Sequence, residues 1–425
     1  MSTKVGLLRR VSPDQCGRER RRAVDPETLR HAGEIVERVH QEGEYAVRHY
    51  AERFGERVPG DSLVLNRSDL SVALEAIDAS TRALLERVAI RIERFARAQR
   101  DAIGKVNIAI PGGRAGHRVL PVENAGCYAP AGRYPLPSSV LMTAVTARVA
   151  GCSRVVVASP STAPVMLAAA AIAGADEYLA VGGSHAVAAL AYGFEGFVPC
   201  DVIAGPGNKW VTAAKFLVSG EVGIDMLAGP SELLVIADAS ADAAIVAADL
   251  LAQAEHDDDA VPMLVTTSQE LAESVEHELV RQLETLPTAA TARRALANGF
   301  RCVASDLDQA CELSDRIGAE HVEIMTADTR SVASRLQNAG GIFIGSMSAE
   351  VLGDYGAGPN HTLPTGGTAR FRAGLSVSTF LRLRTWIEIE NAHDAGELFA
   401  DAEALARIER LESHARSAAV RSSDA

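Results

Sequence analysis

The chain has 425 residues, is 47% hydrophobic and carries a formal net charge of −13. That length and hydropathy allow a sizeable core divided into at least two domains. The acidic balance excludes a general nucleic-acid binder, which needs concentrated Lys and Arg, and no run of about 20 apolar residues marks a membrane span.

The basic run at 18–22, beside Arg9 and Arg10, lacks the apolar stretch of a secretory signal, so 1–24 reads as a solvated arm. From 25 to about 104, good helix formers and charge pairs four apart predict helices. His31, His40 and His49 recur at spacings that share no helical face, and no site is inferred from them. Strand and turn follow at 108–126. Then GCYAPAGRYPLPSSVLM takes a strand through a Gly/Pro-rich loop into a helix, whose first N–H groups are free for an anion.

From there the chain alternates. Strands at 154–158, 177–181 and 201–204 are separated by helices at 164–173, 184–192 and 208–218. A second series places strands at 233–237, 261–266, 301–303, 321–325 and 341–344, with helices at 241–256, 269–286, 289–298, 307–317 and 329–337 between them. Units of this length predict an α/β fold with two doubly wound, mainly parallel sheets, each covered by helices on both faces. The loops YAPAGRY, VGGSHA and AGPGNK then line one sheet edge, the expected ligand crevice. The dinucleotide fingerprint G-x-G-x-x-G is missing, and GPGN at 205–208 reads equally as a tight turn with an N-cap. A Gly/Pro-rich loop at 353–374 and a helical tail from about 378 end the chain.

Chemistry-bearing residues are scattered along this frame. Gln253 and His256 stand three apart at a predicted helix end, where one face can hold an ion; the bland alternative is a solvated polar pair. Glu320 and His321 open a strand, where neighbours point to opposite faces, so they act together only through loop geometry. Asp354 and His361 lie in the glycine-rich loop, although a loop Asp is commonly a cap. His414, in a charged tail, reads by itself as a surface histidine. Six cysteines without a C-x-x-C pair fit a reducing cytoplasm, and Cys127 and Cys152, near the ligand loops, compete as aldehyde-trapping nucleophiles.

Six segments, YAPAGRYPLPSSVLM, AGPGNKWVTAAK, GIDMLAGPSELLVIAD, LLAQAEHDDDA, AEHVEIM and GDYGAGPNHTLPTGGTAR, resemble histidinol dehydrogenase in the same order and over nearly the whole chain. The resemblance implies two incomplete Rossmann-like domains, 25–127 with 233–370 and 128–232, with 371–425 a tail reaching the partner in a domain-swapped homodimer. It implies one Zn2+ per subunit, held by Gln253, His256 and Asp354 of one subunit and His414 of the other. It makes His321 the base for the hydroxyl proton and Glu320 the activator of water. Ser231, His361 and Glu409 match positions near an amino alcohol substrate, along with the zinc ligands and His321; Tyr128, His185 and Asn208 match positions at NAD. The implied reaction takes alcohol to aldehyde to carboxylate with two NAD in succession.

This chain departs from the family at Gly183, Ser184 and His185, where Gly-Ala-Gln is usual, so a cofactor hydrogen bond from an amide falls to imidazole or is lost. The tail around His414 and the segment LSVSTFLRLRTWIEI are closer to paralogues that oxidise other polar alcohols, such as a sulfopropanediol. That is the competing reading; a non-enzymatic scaffold is disfavoured because every ligand and acid/base position is kept.

Overall fold

The computed structural model describes residues 6–17, 24–131 and 134–422, and the basic run at 18–22 lies outside them. The chain opens with β1 (Arg9–Val11), α1 (Pro26–Glu42), α2 (Glu44–Arg53), β2 (Val64–Asn66), α3 (Arg67–Ala76) and α4 (Ala79–Ala102). A hairpin of β3 (Val106–Ile110) and β4 (Gly113–Pro121) leads to β5 (Asn124–Tyr128). The first alternating series continues with α5 (Pro137–Ala150), β6 (Arg154–Ala158), α6 (Pro164–Ile172), β7 (Glu177–Leu179), α7 (Gly183–Tyr192), β8 (Val202–Ala204), α8 (Lys209–Val218) and β9 (Gly223–Ile224).

The second series runs β10 (Glu232–Ala237), α9 (Ala243–Ala254), β11 (Val261–Thr266), α10 (Gln269–Leu283), α11 (Ala289–Asn298), β12 (Phe300–Val303), α12 (Leu307–Ile317), β13 (His321–Met325), α13 (Thr329–Arg335), β14 (Gly341–Ile344) and the short α14 (Val351–Asp354). A strand β15 (Leu381–Ile389) and two helices, α15 (Gly396–Ile408) and α16 (Glu412–Ser422), follow.

Three sheets result: β1-β12-β11-β10-β13-β14, β2-β7-β6-β5-β8-β9, and the antiparallel β15-β4-β3. The first is parallel throughout, and the second is parallel apart from β2. Period-two geometry explains the continuous apolar runs. On β10, Leu233, Val235 and Ala237 enter one core with α9 and α10, while Leu234 and Ile236 enter another with Cys302, Ala310 and Val322. On β6, Val155 and Val157 divide from Val156 and Ala158 in the same way.

Three expectations are corrected. The helices of 26–102 do not join the sheet of β10–β14: α1 packs on α7 and α8, α2 on α7, α3 on α6 and α4 on α5, while β2 pairs with β7. An amphipathic stripe such as Ala32, Val36 and Val39 states that a face is buried, but not against which sheet. The arm is not wholly solvated, because Leu8 is buried and β1 pairs with β12. The tail begins with the nine-residue β15, paired along its length with β4; LRLRTWIEI alternates with period two, and that pattern outweighs its helix formers.

Gly205 shows how tightly the crevice edge is built. Its φ is +128°, and a Cβ there would fall 1.9 Å from the Tyr128 carbonyl oxygen. For the central sheet, we expect Leu234→Ala to lower unfolding free energy by about 2–5 kcal/mol, because the fully buried side chain leaves a cavity between rigid strands. Urea unfolding measures it; a loss below about 1 kcal/mol would contradict the packing described.

Candidate functional site

The parallel pairing of β10 with β13 sets Leu233 opposite His321. The His321 ring is buried, and its Nδ1 lies 3.1 Å from the Glu232 carbonyl oxygen. A carbonyl only accepts, so Nδ1 carries the hydrogen and Nε2 keeps its lone pair. Nε2 faces Glu350 Oε1 at 3.6 Å. Burial drives the His321 pKa down to about 4, leaving the ring neutral near pH 7.

Glu320 occupies a bend just before the strand, outside its pleat, which lets it share a site with His321. Its Oε2 accepts from Ser231 Oγ at 3.0 Å and from the Glu232 N–H at 2.9 Å, and stands 3.6 Å from His321 Nδ1. Burial holds this carboxyl well above the usual range, against those two hydrogen bonds. The chain thus presents a neutral imidazole and an adjacent carboxyl that favours its protonated form.

A metal-type cluster adjoins them. Helix α9 ends at Ala254, so His256 lies in the following turn rather than on the helical face expected for it. His256 Nε2 approaches Asp354 Oδ2 at 3.3 Å, and His256, Glu350 and Asp354 each offer a ligand atom within 4.8 Å of the others. The Asp354 carboxylate raises the His256 pKa; burial pushes Asp354 up, but its three imidazole neighbours, His256, His361 and His321, outweigh this and hold it below its usual value.

Gln253, in the last turn of α9, is fully buried with both amide atoms unpartnered. An orphaned amide three residues from His256, whose imidazole closes on two carboxylates, suits a borderline cation, which would supply the missing contact. His361 Nδ1 donates to the Asp354 carbonyl at 3.2 Å, and its Nε2 faces Ser139 Oγ at 3.4 Å. Sequence reasoning missed Glu350, although Glu350 and Asp354 stand four apart, a spacing that shares a helical face.

Behind the cluster, Glu323 on β13 and Asp249 on α9 face each other, two residues from His321 and four from Gln253. Both are buried, and burial raises both carboxyls; their mutual interaction lowers Asp249 and raises Glu323 further, as expected of two acids sharing one proton.

The nucleotide candidates lie apart from this cluster, along the edge of β5–β8. Tyr128, buried at the end of β5, accepts the Gly183 N–H at its Oη, 3.1 Å away. Asn208 caps α8 by accepting from Trp210 N at 3.1 Å and Val211 N at 3.3 Å. The loop before it is fixed by buried Lys215, whose Nζ donates to the Gly205 carbonyl at 2.5 Å and to Asp225 at 2.6 Å. His185 is buried and bonded to Glu56, not open to the crevice.

Glu409 and His414 are exposed, and His414 does not join the group of His256, Glu350 and Asp354. They line a cleft of about 470 Å³ between α15 and α16 together with Phe399, Leu405 and Leu411. Cys127 and Cys152 are buried, and burial pushes both thiols up, Cys152 to about 11, which removes them as nucleophiles.

A family model described as histidinol dehydrogenase matches residues 18–422. The histidinol dehydrogenase of Thermus thermophilus is 44% identical over 386 residues, 90% of this chain and 92% of that protein. That of Nitratidesulfovibrio vulgaris is 45% identical over 402 residues, 92% of this chain and 91% of its own. The crystal structure of histidinol dehydrogenase from Elizabethkingia anophelis superposes with a TM-score of 0.90 at 30% identity, covering 98% of each chain.

The Asp249 and Glu323 pair generates a pH prediction. Folded, Glu323 keeps a proton that the unfolded chain releases as pH rises through its ordinary value of 4.5. The folded state therefore binds more protons than the unfolded, and stability falls as pH rises above that point. Glu323→Gln removes this loss, so its melting temperature relative to the parent protein should climb steadily from pH 5 to pH 9. Parallel melting curves across that range would refute the shared proton.

Proposed function

The chain belongs to the histidinol dehydrogenase family, and from that premise we propose that it oxidises L-histidinol to L-histidine by way of L-histidinal, the last steps of histidine biosynthesis. Identity above 40% to proteins of that name over nine-tenths of the chain favours histidinol over another polar alcohol. The observation that carries the chemistry is the tautomer of His321: Nδ1–H is committed to the Glu232 carbonyl, leaving a lone pair on Nε2 beside His256, Glu350 and Asp354.

In the first half-reaction His321 Nε2 takes the hydroxyl proton as the alcohol carbon is oxidised. In the second, the ionised form of Glu320, a stronger base than an ordinary carboxylate because burial raises its proton affinity, removes a proton from the water that adds to the aldehyde; Ser231 Oγ and the Glu232 N–H orient it for that transfer. The first half-reaction releases one proton and one hydride; the second consumes one water and releases one hydride and two protons, the product being the carboxylate. NAD, assigned to the edge with Tyr128 and Asn208, is the hydride acceptor in both, and His185 bears on it indirectly.

Gln253, His256 and Asp354, with Glu350 close by, would hold Zn2+, which orients the substrate's amine and imidazole rather than activating the hydroxyl. His361 is left to meet the substrate.

We assign His414 and Glu409 of the partner subunit to complete the site in a swapped homodimer. Support comes from the tail: α15 and α16 pack on one another, and Leu405, Ile408 and Leu411 stay exposed on a single protomer. A cytoplasmic setting fits the six free, buried cysteines, and no helix among the described residues is long and apolar enough to cross a membrane.

Two experiments test the reading. Stoichiometric turnover of histidinol should yield two NADH and one histidine, and His321→Ala should lower kcat by about a hundredfold or more with zinc content intact. One NADH per histidinol would overturn the four-electron assignment. Mixing His414→Ala with Gln253→Ala under subunit exchange should restore about a quarter of the sites, since half of the randomly paired dimers carry one intact site. No recovery with proven exchange would refute the swap.

A further inference from the structure

The connection between α2 and β2 contributes a dipeptide, Glu56-Arg57, that no sequence motif singled out. Glu56 Oε2 accepts from the Gly182 N–H at 3.1 Å and from His185 Nε2 at 2.9 Å. Arg57 donates from Nε to the Ala180 carbonyl at 2.6 Å, from Nη2 to the Pro160 carbonyl at 3.0 Å and from Nη1 to Thr162 Oγ1 at 3.3 Å. Two adjacent side chains therefore tie together the loops that leave β6 and β7. These are the C-terminal ends of parallel strands, where an open α/β sheet receives its ligand.

His185 belongs to this arrangement and not to the open crevice. Its side chain is 1% exposed, against 15% for Glu56. Its Nε2 must carry the hydrogen, because the Glu56 carboxylate only accepts. Its Nδ1 is buried without a partner, and the ring is packed by Tyr50 and Phe54 with centroids 6.0 and 5.7 Å away. With Nε2 committed to Glu56, only the buried Nδ1 is left to meet a nucleotide, and reaching it would disturb the packing of the ring by Tyr50 and Phe54. Next to it, the Gly183 N–H already goes to Tyr128, the residue assigned to the nucleotide at the end of β5. Pro160 and Gly182 are also in close contact, since a Cβ on Gly182 would lie 2.7 Å from the proline ring. The loops after β5, β6 and β7 thus share one connected set of contacts, with Glu56-Arg57 on its outer side.

We propose that Glu56 and Arg57 form a clasp that sets the shape of the nucleotide-binding edge, with His185 a positioning residue that acts on the nucleotide through Glu56. This rests on the assignment of NAD to that edge. The clasp also accounts for the tolerance of imidazole at 185, because the position needs an N–H aimed at Glu56, which either imidazole or an amide supplies.

NADH fluorescence titration of the zinc-loaded protein, with melting temperature and zinc content followed in parallel, tests the clasp. Glu56→Ala and His185→Ala should each raise the NADH dissociation constant about tenfold, and the double variant should be no weaker than the weaker single one, because both remove the same link. His185→Gln should recover most of the loss through its amide N–H. Arg57→Lys, which cannot reproduce the planar fork, should weaken binding on its own. In turnover the effect should fall on KM for NAD with kcat nearly unchanged.

Additive effects of Glu56→Ala and His185→Ala, or a loss confined to His185→Ala, would mean that His185 meets the nucleotide directly and would overturn the clasp. So would lower melting temperatures with unchanged NADH affinity, the mark of a purely structural link. If Glu56→Ala does not fold, Glu56→Gln, which keeps an acceptor for Gly182, carries the same comparison. Parent protein that binds no NADH would overturn the nucleotide assignment and the clasp with it; binding by the parent with unaltered variants overturns the clasp alone.

Discussion

The hydrogen bond from His321 Nδ1 to the Glu232 carbonyl is the constraint on which the rest of the site depends. It exists because β10 and β13 pair in parallel with Leu233 opposite His321, and that register is held by side chains buried on both faces of the sheet. A slip of one residue would send His321 to the opposite face and bring Val322 to the α9 side. The same register carries Ser231 and the Glu232 N–H to the Glu320 carboxylate. One pairing thus fixes the tautomer of the base and the orientation of the neighbouring acid.

The cluster around this pairing is rich in acids. Glu320, Glu323, Glu350, Asp249 and Asp354 are all buried, and burial is the largest influence on each; the further influences come from neighbouring acids, imidazoles, Ser231 and backbone N–H groups, with no lysine or arginine among them. Such a group is costly to hold ionised without a cation. Two responses are visible in the structure: burial shifts Glu320, Glu323, Glu350 and Asp249 toward the protonated form, and Asp354 keeps its charge by gathering imidazoles. A divalent ion among His256, Glu350 and Asp354, as proposed, would satisfy what those imidazoles satisfy only in part, and the Gln253 amide is left without a partner. The donor set argues for a metal independently of family membership.

Much of this architecture was legible in the sequence because buried parallel strands write a simple signal. The strands at 154–158, 261–266, 321–325 and 341–344 have the bounds expected of them, since short apolar runs between helices admit few other readings. The packing of the N-terminal helices was not legible, as their stripes fit either sheet. Nor was β15, whose alternation ran against its helix-forming residues. At the site, Gln253 and His256 stood out as a weak ion-holding pair by spacing alone, and Asp354 as a loop carboxylate; only the order of the motifs joined the three. Glu350 carried no mark beyond its spacing from Asp354, and Glu56 none at all, because its role arises from a contact with a residue 129 positions away.

The tail shows the opposite limit, a feature whose sequence meaning exceeds what one protomer can express. A charged helix with a single histidine reads as surface, and in the protomer His414 is indeed exposed. Yet α15 and α16 bury little beyond Ala406 and Ala415, and they leave Leu398, Leu405, Ile408 and Val420 in water. β15 adds Leu383 and Ile387, also exposed. Isolated exposed leucines need no explanation, but a hairpin and a strand that together keep so much apolar surface uncovered do. The cleft that holds Glu409 and His414 lies on this hairpin, so the surface that needs cover and the residues that need a site are the same piece of chain. The proposed seating of the tail on a second copy would resolve both, because the apolar area would drive association while the polar pair would complete a neighbouring metal cluster. Catalysis would then require the dimer, and the stability of the tail would be inseparable from protomer concentration.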